Sequence, residues 1–409
     1  MSHTRRGFIK NTLNAGGAFA LHGGASSFAK AGLVIGSPSP SSPTSSQGTE
    51  RNEVPSYLKD YRNIYHRDPH SAALAWFQNA KFGLFMHYGL YSQLGRGEWV
   101  MLRERISLSE YERLKNTFNP DKFDAEQIAN CAVDAGVKYV NLTAKHHEGF
   151  CLFRSRETDY NSTQALGRRD LVGELAEACE KKGLGLVLYY SYGADWHYPY
   201  FCDPSAGWEF YRPAYKEKPS QYRWAKDADS RIYIDYVHKQ LRELLTQYGT
   251  IAGIWFDPVL GYYARPDLFP LGETYALIRS LQPQCLISFK QGGTGTEDFA
   301  APERGAAGTH TYLSIASERR SLASDLATNA WAHNRTKKIE ICDTLQPSAW
   351  GYKESDNGKH RGLEEILPLA KNAWGRGANF LLNTGLLPDG SMPPEDVRTY
   401  REVGRNSGM

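Results

Sequence analysis

No run among the 409 residues approaches the ~18 consecutive apolar residues that a membrane-spanning helix needs, so no span is expected. A surplus of one charge is also missing. Lys and Arg number 48 against 45 Asp and Glu, and four of those bases (Arg5, Arg6, Lys10, Lys30) fall in the first 31 residues, where there is no acid. The rest of the chain is close to neutral, which gives no basis for binding nucleic acid or an anionic membrane. Six cysteines, at 131, 151, 179, 202, 285 and 342, form no CxxC pair, so spacing reveals no disulfide pairing. No glycine-rich nucleotide loop follows the first apolar strand, and neither HxH in a strand nor HExxH on a helix occurs.

The basic leader reads Thr4-Arg5-Arg6-Gly7-Phe8-Ile9-Lys10, followed by a small, weakly apolar stretch from Thr12 to Phe28 and Ala29-Lys30-Ala31. This pattern is that of a bacterial twin-arginine signal with a small-x-small cleavage site, the alternative being a disordered basic tail. Residues 1–31 are therefore expected to engage the twin-arginine export machinery and deliver a periplasmic or secreted protein. Such cargo folds before export in a reducing compartment, so the cysteines are expected to be mostly buried free thiols. The Ser/Pro-rich segment 32–55 reads as a linker, because it cannot bury a core.

From residue 56 to 409, short apolar strands alternate with longer helical patterns, which predicts parallel βα units. Strands are expected at Lys81–His87, Tyr139–Ala144, Gly185–Ser191, Gly253–Asp257, Leu286–Lys290, Lys338–Cys342 and Asn379–Thr384. Helices are expected at Ala125–Ala135, Asp170–Lys182, Ile232–Tyr248, Glu273–Leu281, Leu363–Trp374 and Glu395–Val403. Seven strands are visible, and an eighth is sought near Thr309–Ile315. Eight would close an α/β fold of the (β/α)8 TIM-like barrel type, with an open doubly wound sheet as the alternative. Long connections at about 197–230 and 291–336 would overhang the mouth.

Polar residues gather just past the strand ends, at His87, His146-His147-Glu148, Asp195-Trp196-His197, Asp257 and Asp343. That end of a barrel carries the active site. Period-two alternation in Gly253-Ile254-Trp255-Phe256-Asp257 puts Trp255 and Asp257 on one side and Phe256 on the other. Asp257 is then either a mouth-facing acid or a helix-capping carboxylate. The His146-His147-Glu148 cluster could bind zinc, hydrogen-bond a sugar, or pack; the isolated His87 of the first strand does not favour zinc. The 25 Tyr and 9 Trp suit sugar faces as well as ordinary packing.

Several stretches, in order, resemble the α-L-fucosidases of glycoside hydrolase family 29. They are Lys81–Gly89, Glu98-Trp99, Lys145–Phe150 with Asp159-Tyr160-Asn161 behind it, Leu188–Ser191, Ile254–Asp257, Trp350-Gly351-Tyr352 and Asn379–Asn383. The resemblance spans roughly Trp76 to Gly404 and implies a retaining, exo-acting hydrolase of terminal α-L-fucosyl or closely related L-sugar linkages. It implies Asp257 as nucleophile and His87, Glu98, Trp99, His146, His147, Tyr190 and Trp255 as the sugar-binding wall. Neither metal nor other cofactor is implied, and the partner is a fucosylated oligosaccharide or glycoconjugate. For the acid/base, Glu303, Glu297 and Glu340 are candidates. Glu303 is chosen because Thr296–Arg304 resembles the family stretch whose Pro-Glu carries that role.

Three departures stand out. The usual HWG is His87-Tyr88-Gly89, the usual HHDG is His146-His147-Glu148-Gly149, and the arginine expected after strand five is Lys290. The C-terminal β-sandwich of many relatives is not expected. The aromatic insertion with Trp208, Tyr211, Tyr215, Tyr222 and Trp224 is either the aglycone side of the site or a self-packed loop. Two other classes compete: a catalytically silent barrel that binds fucosylated glycans, and a metal-dependent amidohydrolase.

Overall fold

Eight parallel strands, each fully or largely buried, line up in the order β5-β4-β3-β2-β1-β8-β7-β6 in the computed structural model, which describes residues 53–304 and 321–408. They are β1 Phe82–His87, β2 Tyr139–Lys145, β3 Gly185–Ser191, β4 Gly253–Asp257, β5 Leu286–Ser288, β6 Phe299–Ala300, β7 Lys338–Thr344 and β8 Asn379–Gly385. The sheet curls into a (β/α)8 barrel. Its β5–β6 seam is joined by Asp298 N to Ile287 O at 2.8 Å and Ala301 N to Lys290 O at 2.7 Å. The Asp298 carboxylate also accepts from Ile287 N at 2.8 Å.

All seven strands expected from the sequence are present. The eighth place is taken by Phe299–Ala300, inside the stretch read as a long connection; Thr309–Ile315 lies outside the described residues. A helix, Ser321–Asn334, occupies more of that same stretch. The six expected helices occur within a residue or three of their expected ends. Side chains explain the ends: Asp124 and Asp170 accept the backbone N–H of Gln127 and Gly173 as N-caps, and Gly183, at φ 68°, ends Leu171–Lys182.

Strand alternation splits the apolar core into two layers. Phe85, Tyr139, Val187, Tyr189, Trp255, Leu286, Phe299, Cys342 and Leu381 point into the barrel. Leu84, Met86, Val140, Leu142, Leu188, Ile254, Phe256 and Leu382 point out to the helices. The helix Pro69–Asn79, not anticipated from the sequence, joins the interior layer through Trp76 and Phe77, and Trp76 sits against Gly185 at the start of β3. It closes the bottom of the barrel and leaves the C-terminal end of the strands as the mouth. All six cysteines are buried free thiols. Among the described residues no helix is long and apolar enough to cross a membrane.

Candidate active site

The mouth holds a cavity of about 550 Å³, floored by Phe85 and Trp255 and walled by His87, Glu98, Trp99, His146, His147, Tyr189 and Trp350. Asp257, Lys290 and Glu303 face one another within it.

Asp257 ends β4, and its backbone carbonyl accepts from Tyr192 N at 2.6 Å and Gly193 N at 3.1 Å. Gly193 is required there, since a Cβ would lie 2.2 Å from the Pro258 carbonyl oxygen. Oδ2 accepts the Tyr189 hydroxyl at 2.8 Å, and Oδ1 lies 3.3 Å from Lys290 Nζ. Burial raises the Asp257 carboxyl to about 6; Lys290 opposes that rise, and repulsion from Glu303 adds to it. Lys290 Nζ also pairs directly with Glu303 Oε1 and stands 4.6 Å from the centre of the Trp255 ring. One ammonium thus touches both carboxylates. Arg304, beside Glu303 in sequence, turns instead to Asp343, at 3.6 Å.

The three histidines are neutral. Burial is the main cause in each case: it lowers His87 to about 3 and puts His146 and His147 well below the usual imidazole range. The tautomers of His87 and His147 follow from their partners, whereas His146 Nδ1 is buried without one among the described residues. Asn383 Nδ2 donates to Thr344 Oγ1 and Trp350 O, so its carbonyl oxygen faces His87 Nδ1 at 2.7 Å and that nitrogen carries the proton. The Ser191 hydroxyl donates to Ala194 O, so it accepts from His147 Nδ1, also at 2.7 Å. Each ring is left with Nε2 as an acceptor, and that of His147 lies 3.7 Å from Asp257 Oδ2. Glu98 accepts from Trp350 N at 3.0 Å and Gly351 N at 2.8 Å, which fixes the loop that brings Trp350 over the cavity.

A family model described as alpha-L-fucosidase matches residues 50–406. The chain belongs to the α-L-fucosidase family. It is 38% identical over 357 residues to the tissue alpha-L-fucosidase of Rattus norvegicus, covering 81% of this chain and 67% of that one. It is 27% identical over 341 residues to alpha-L-fucosidase 1 of Arabidopsis thaliana, covering 82% of this chain and spanning 59% of the relative's length. Alpha-L-fucosidase AlfC from Lactobacillus casei, solved with alpha-L-fucose product, superposes with a TM-score of 0.63 at 28% identity, over 81% of this chain and 97% of AlfC.

Within this family member, the structure gathers eight of the nine residues singled out from sequence around one cavity: Asp257, Glu303, His87, Glu98, Trp99, His146, His147 and Trp255. Tyr190 is the exception. Its side chain points outward, donates to Gln240 Oε1 at 2.6 Å and packs under Lys145; Tyr189, one residue earlier, lines the cavity instead. A register shift between Thr143 and Lys145 sends Lys145 out to Asp195 at 2.9 Å and lets His146 turn inward.

Of the other acid/base candidates, Glu297 is tied to the N–H groups of Gly293, Thr294 and Gly295 and to Asn334. Glu340 lies beneath the floor, accepting from Tyr139 at 2.5 Å and Trp255 Nε1 at 2.9 Å. Neither lines the cavity. Glu148 accepts from Leu90 N and the Tyr111 hydroxyl, so it braces the first mouth loop and stays out of the site. Within the aromatic insertion, Trp208 reaches the cavity together with Phe210, whereas Tyr222 packs on Arg212, and Tyr211 and Tyr215 bond backbone carbonyls. No cluster of three or more His, Cys, Asp or Glu able to hold a metal occurs among the described residues.

Proposed function

We propose that this chain hydrolyses terminal α-L-fucosyl linkages with retention, through a glycosyl ester on Asp257, with Glu303 as acid/base. The observation that carries the reading is the single ammonium of Lys290 in contact with both carboxylates at a barrel mouth. Two carboxyl groups that share one ammonium are close, which favours the ~5–5.5 Å separation of retaining pairs over the ~6.5–9.5 Å of inverting ones. In the first displacement, the Asp257 carboxylate attacks the anomeric carbon. The glycosidic C–O bond breaks as Glu303 gives its proton to the departing oxygen. In the second, water attacks the same carbon, Glu303 takes the water's proton, and the ester bond breaks to restore Asp257.

The neutral histidines and Glu98 supply acceptors for ring hydroxyls, while Trp255 and Trp350 offer faces for the ring and its methyl group. A cavity of about 550 Å³ over Phe85 and Trp255 suits a terminal sugar, which supports exo action. AlfC is solved with Fuca(1,6)GlcNAc in one of its structures, which supports a fucosylated glycan as substrate class. We also infer that residues 1–31 are a twin-arginine signal and 32–55 a linker to the catalytic domain at 56–409, with a periplasmic or secreted destination.

The direct test is a panel of aryl α-L-fucoside, α-L-galactoside and β-D-galactoside. Turnover of the α-L-fucoside that releases β-L-fucose first, with the α-anomer appearing only by mutarotation, would contradict retention. No turnover of either L-sugar by folded protein would contradict the activity.

A further inference from the structure

The two-carboxyl scheme has no use for Lys290, yet the fold builds an expensive place for it. Its side chain is only 4% exposed, and burial of an ammonium is costly unless the charge is matched. Its backbone adopts φ 54°, unusual for a residue with a side chain, at the point where its carbonyl closes the β5–β6 seam to Ala301. Its ammonium then rests over the Trp255 ring, between Asp257 Oδ1 and Glu303 Oε1. The histidines nearby are uncharged, and Arg304 is directed at Asp343.

We propose that Lys290 is a catalytic counter-charge that pairs with Asp257 before the first displacement and with Glu303 after it. The inference rests on the assignment of Asp257 as nucleophile and Glu303 as acid/base. At the start, Asp257 is ionised, Glu303 carries the proton and Lys290 neutralises Asp257. Formation of the ester removes the charge from Asp257, and proton transfer to the leaving group creates one on Glu303. The second displacement reverses both changes. One negative charge therefore moves between two sites flanking one ammonium, which neither gains nor loses a proton. The trio stays neutral in every state, and no buried charge is left unmatched at either step. A lysine suits this role, because its compact charge on a flexible stem can lean toward either partner.

The test uses the full chain with Lys290→Met, matched in volume and neutral, and Lys290→Arg, which keeps the charge. Circular dichroism and thermal unfolding check the fold. Stopped-flow with an activated aryl fucoside gives the rate of ester formation, and reactivation of a 2-fluoro-fucosyl enzyme gives the rate of its breakdown. Lys290→Met is expected to slow both steps by roughly a hundredfold or more, the scale of a lost electrostatic contact at a reacting centre. Lys290→Arg is expected to keep both within about tenfold and their ratio nearly unchanged.

A folded Lys290→Met variant in which either step runs within about twofold of wild type would overturn the proposal. So would Lys290→Arg with one step selectively lost, a result that stands even if the Met variant does not fold. Asp257→Asn and Glu303→Gln run alongside: activity retained in those would break the underlying assignment, independently of what Lys290 does.

Discussion

The Tyr189 hydroxyl donates a 2.8 Å hydrogen bond to Asp257 Oδ2 from the neighbouring strand, one layer below it, where its ring also stacks on Trp255 at 5.5 Å. The bond stabilises the ionised carboxylate and so holds its pKa down. Asp257 titrates at about 6, and only the ionised form is a nucleophile. The acid limb of kcat/KM is therefore expected near pH 6, with activity lost below it. Tyr189→Phe removes the donor and should move that limb upward, while leaving activity at pH 8 much closer to wild type. A pH–rate profile of both proteins checks this; an unmoved or lowered limb in the Phe variant would count against the contact's role.

Glu340 supports the same layer from below, and burial raises its carboxyl from 4.5 to about 7 against the pull of its bonds to Tyr139 and Trp255. A raised acid stabilises the fold fully below 4.5, and that contribution is lost as pH climbs through 7. Glu340→Gln keeps a carbonyl for the Trp255 N–H and cannot ionise. Thermal unfolding from pH 5 to 8 should therefore show the Gln variant gaining on wild type, by up to about 3 kcal/mol. A difference that stays flat with pH would contradict the buried, titrating carboxyl.

Glu303→Gln should slow a fucoside with a poor leaving group by about a hundredfold or more, and one with an activated leaving group far less. Azide needs no general base, so it should restore turnover as fucosyl azide. Equal loss on both substrates with no response to azide would move the acid/base role elsewhere.

Seven strands were readable because each is a short apolar run bounded by turn residues. The eighth was not: Phe299–Ala300 is two residues long, and two residues carry no periodicity. The same limit explains Tyr190. All seven residues of β3 are buried, so its sequence shows no polar face to tell inward from outward. In β4 the terminal Asp257 marks the inward parity, and Trp255 follows from it. Lys290 was visible as a departure from the family pattern. Its partners were not, because they come from β4 and from the segment after β6, and only barrel closure brings them together.

The proposed signal at residues 1–31 lies outside the described residues, so its test is cellular. Arg5→Lys with Arg6→Lys keeps the charge and should leave folded precursor in the cytoplasm, because a receptor reads the arginine pair. Fractionation with an activity assay measures it. Normal delivery of the double variant to the periplasm would remove the assignment.

The central claim is a covalent bond between a fucosyl group and Asp257. Incubation with an activated 2-fluoro-fucoside, followed by intact-mass measurement and peptide mapping, tests it most directly. The account predicts one fluorofucosyl adduct per chain, on the peptide containing Asp257 and absent from Asp257→Asn. An adduct on a different residue, or an active enzyme that never forms one, would contradict it.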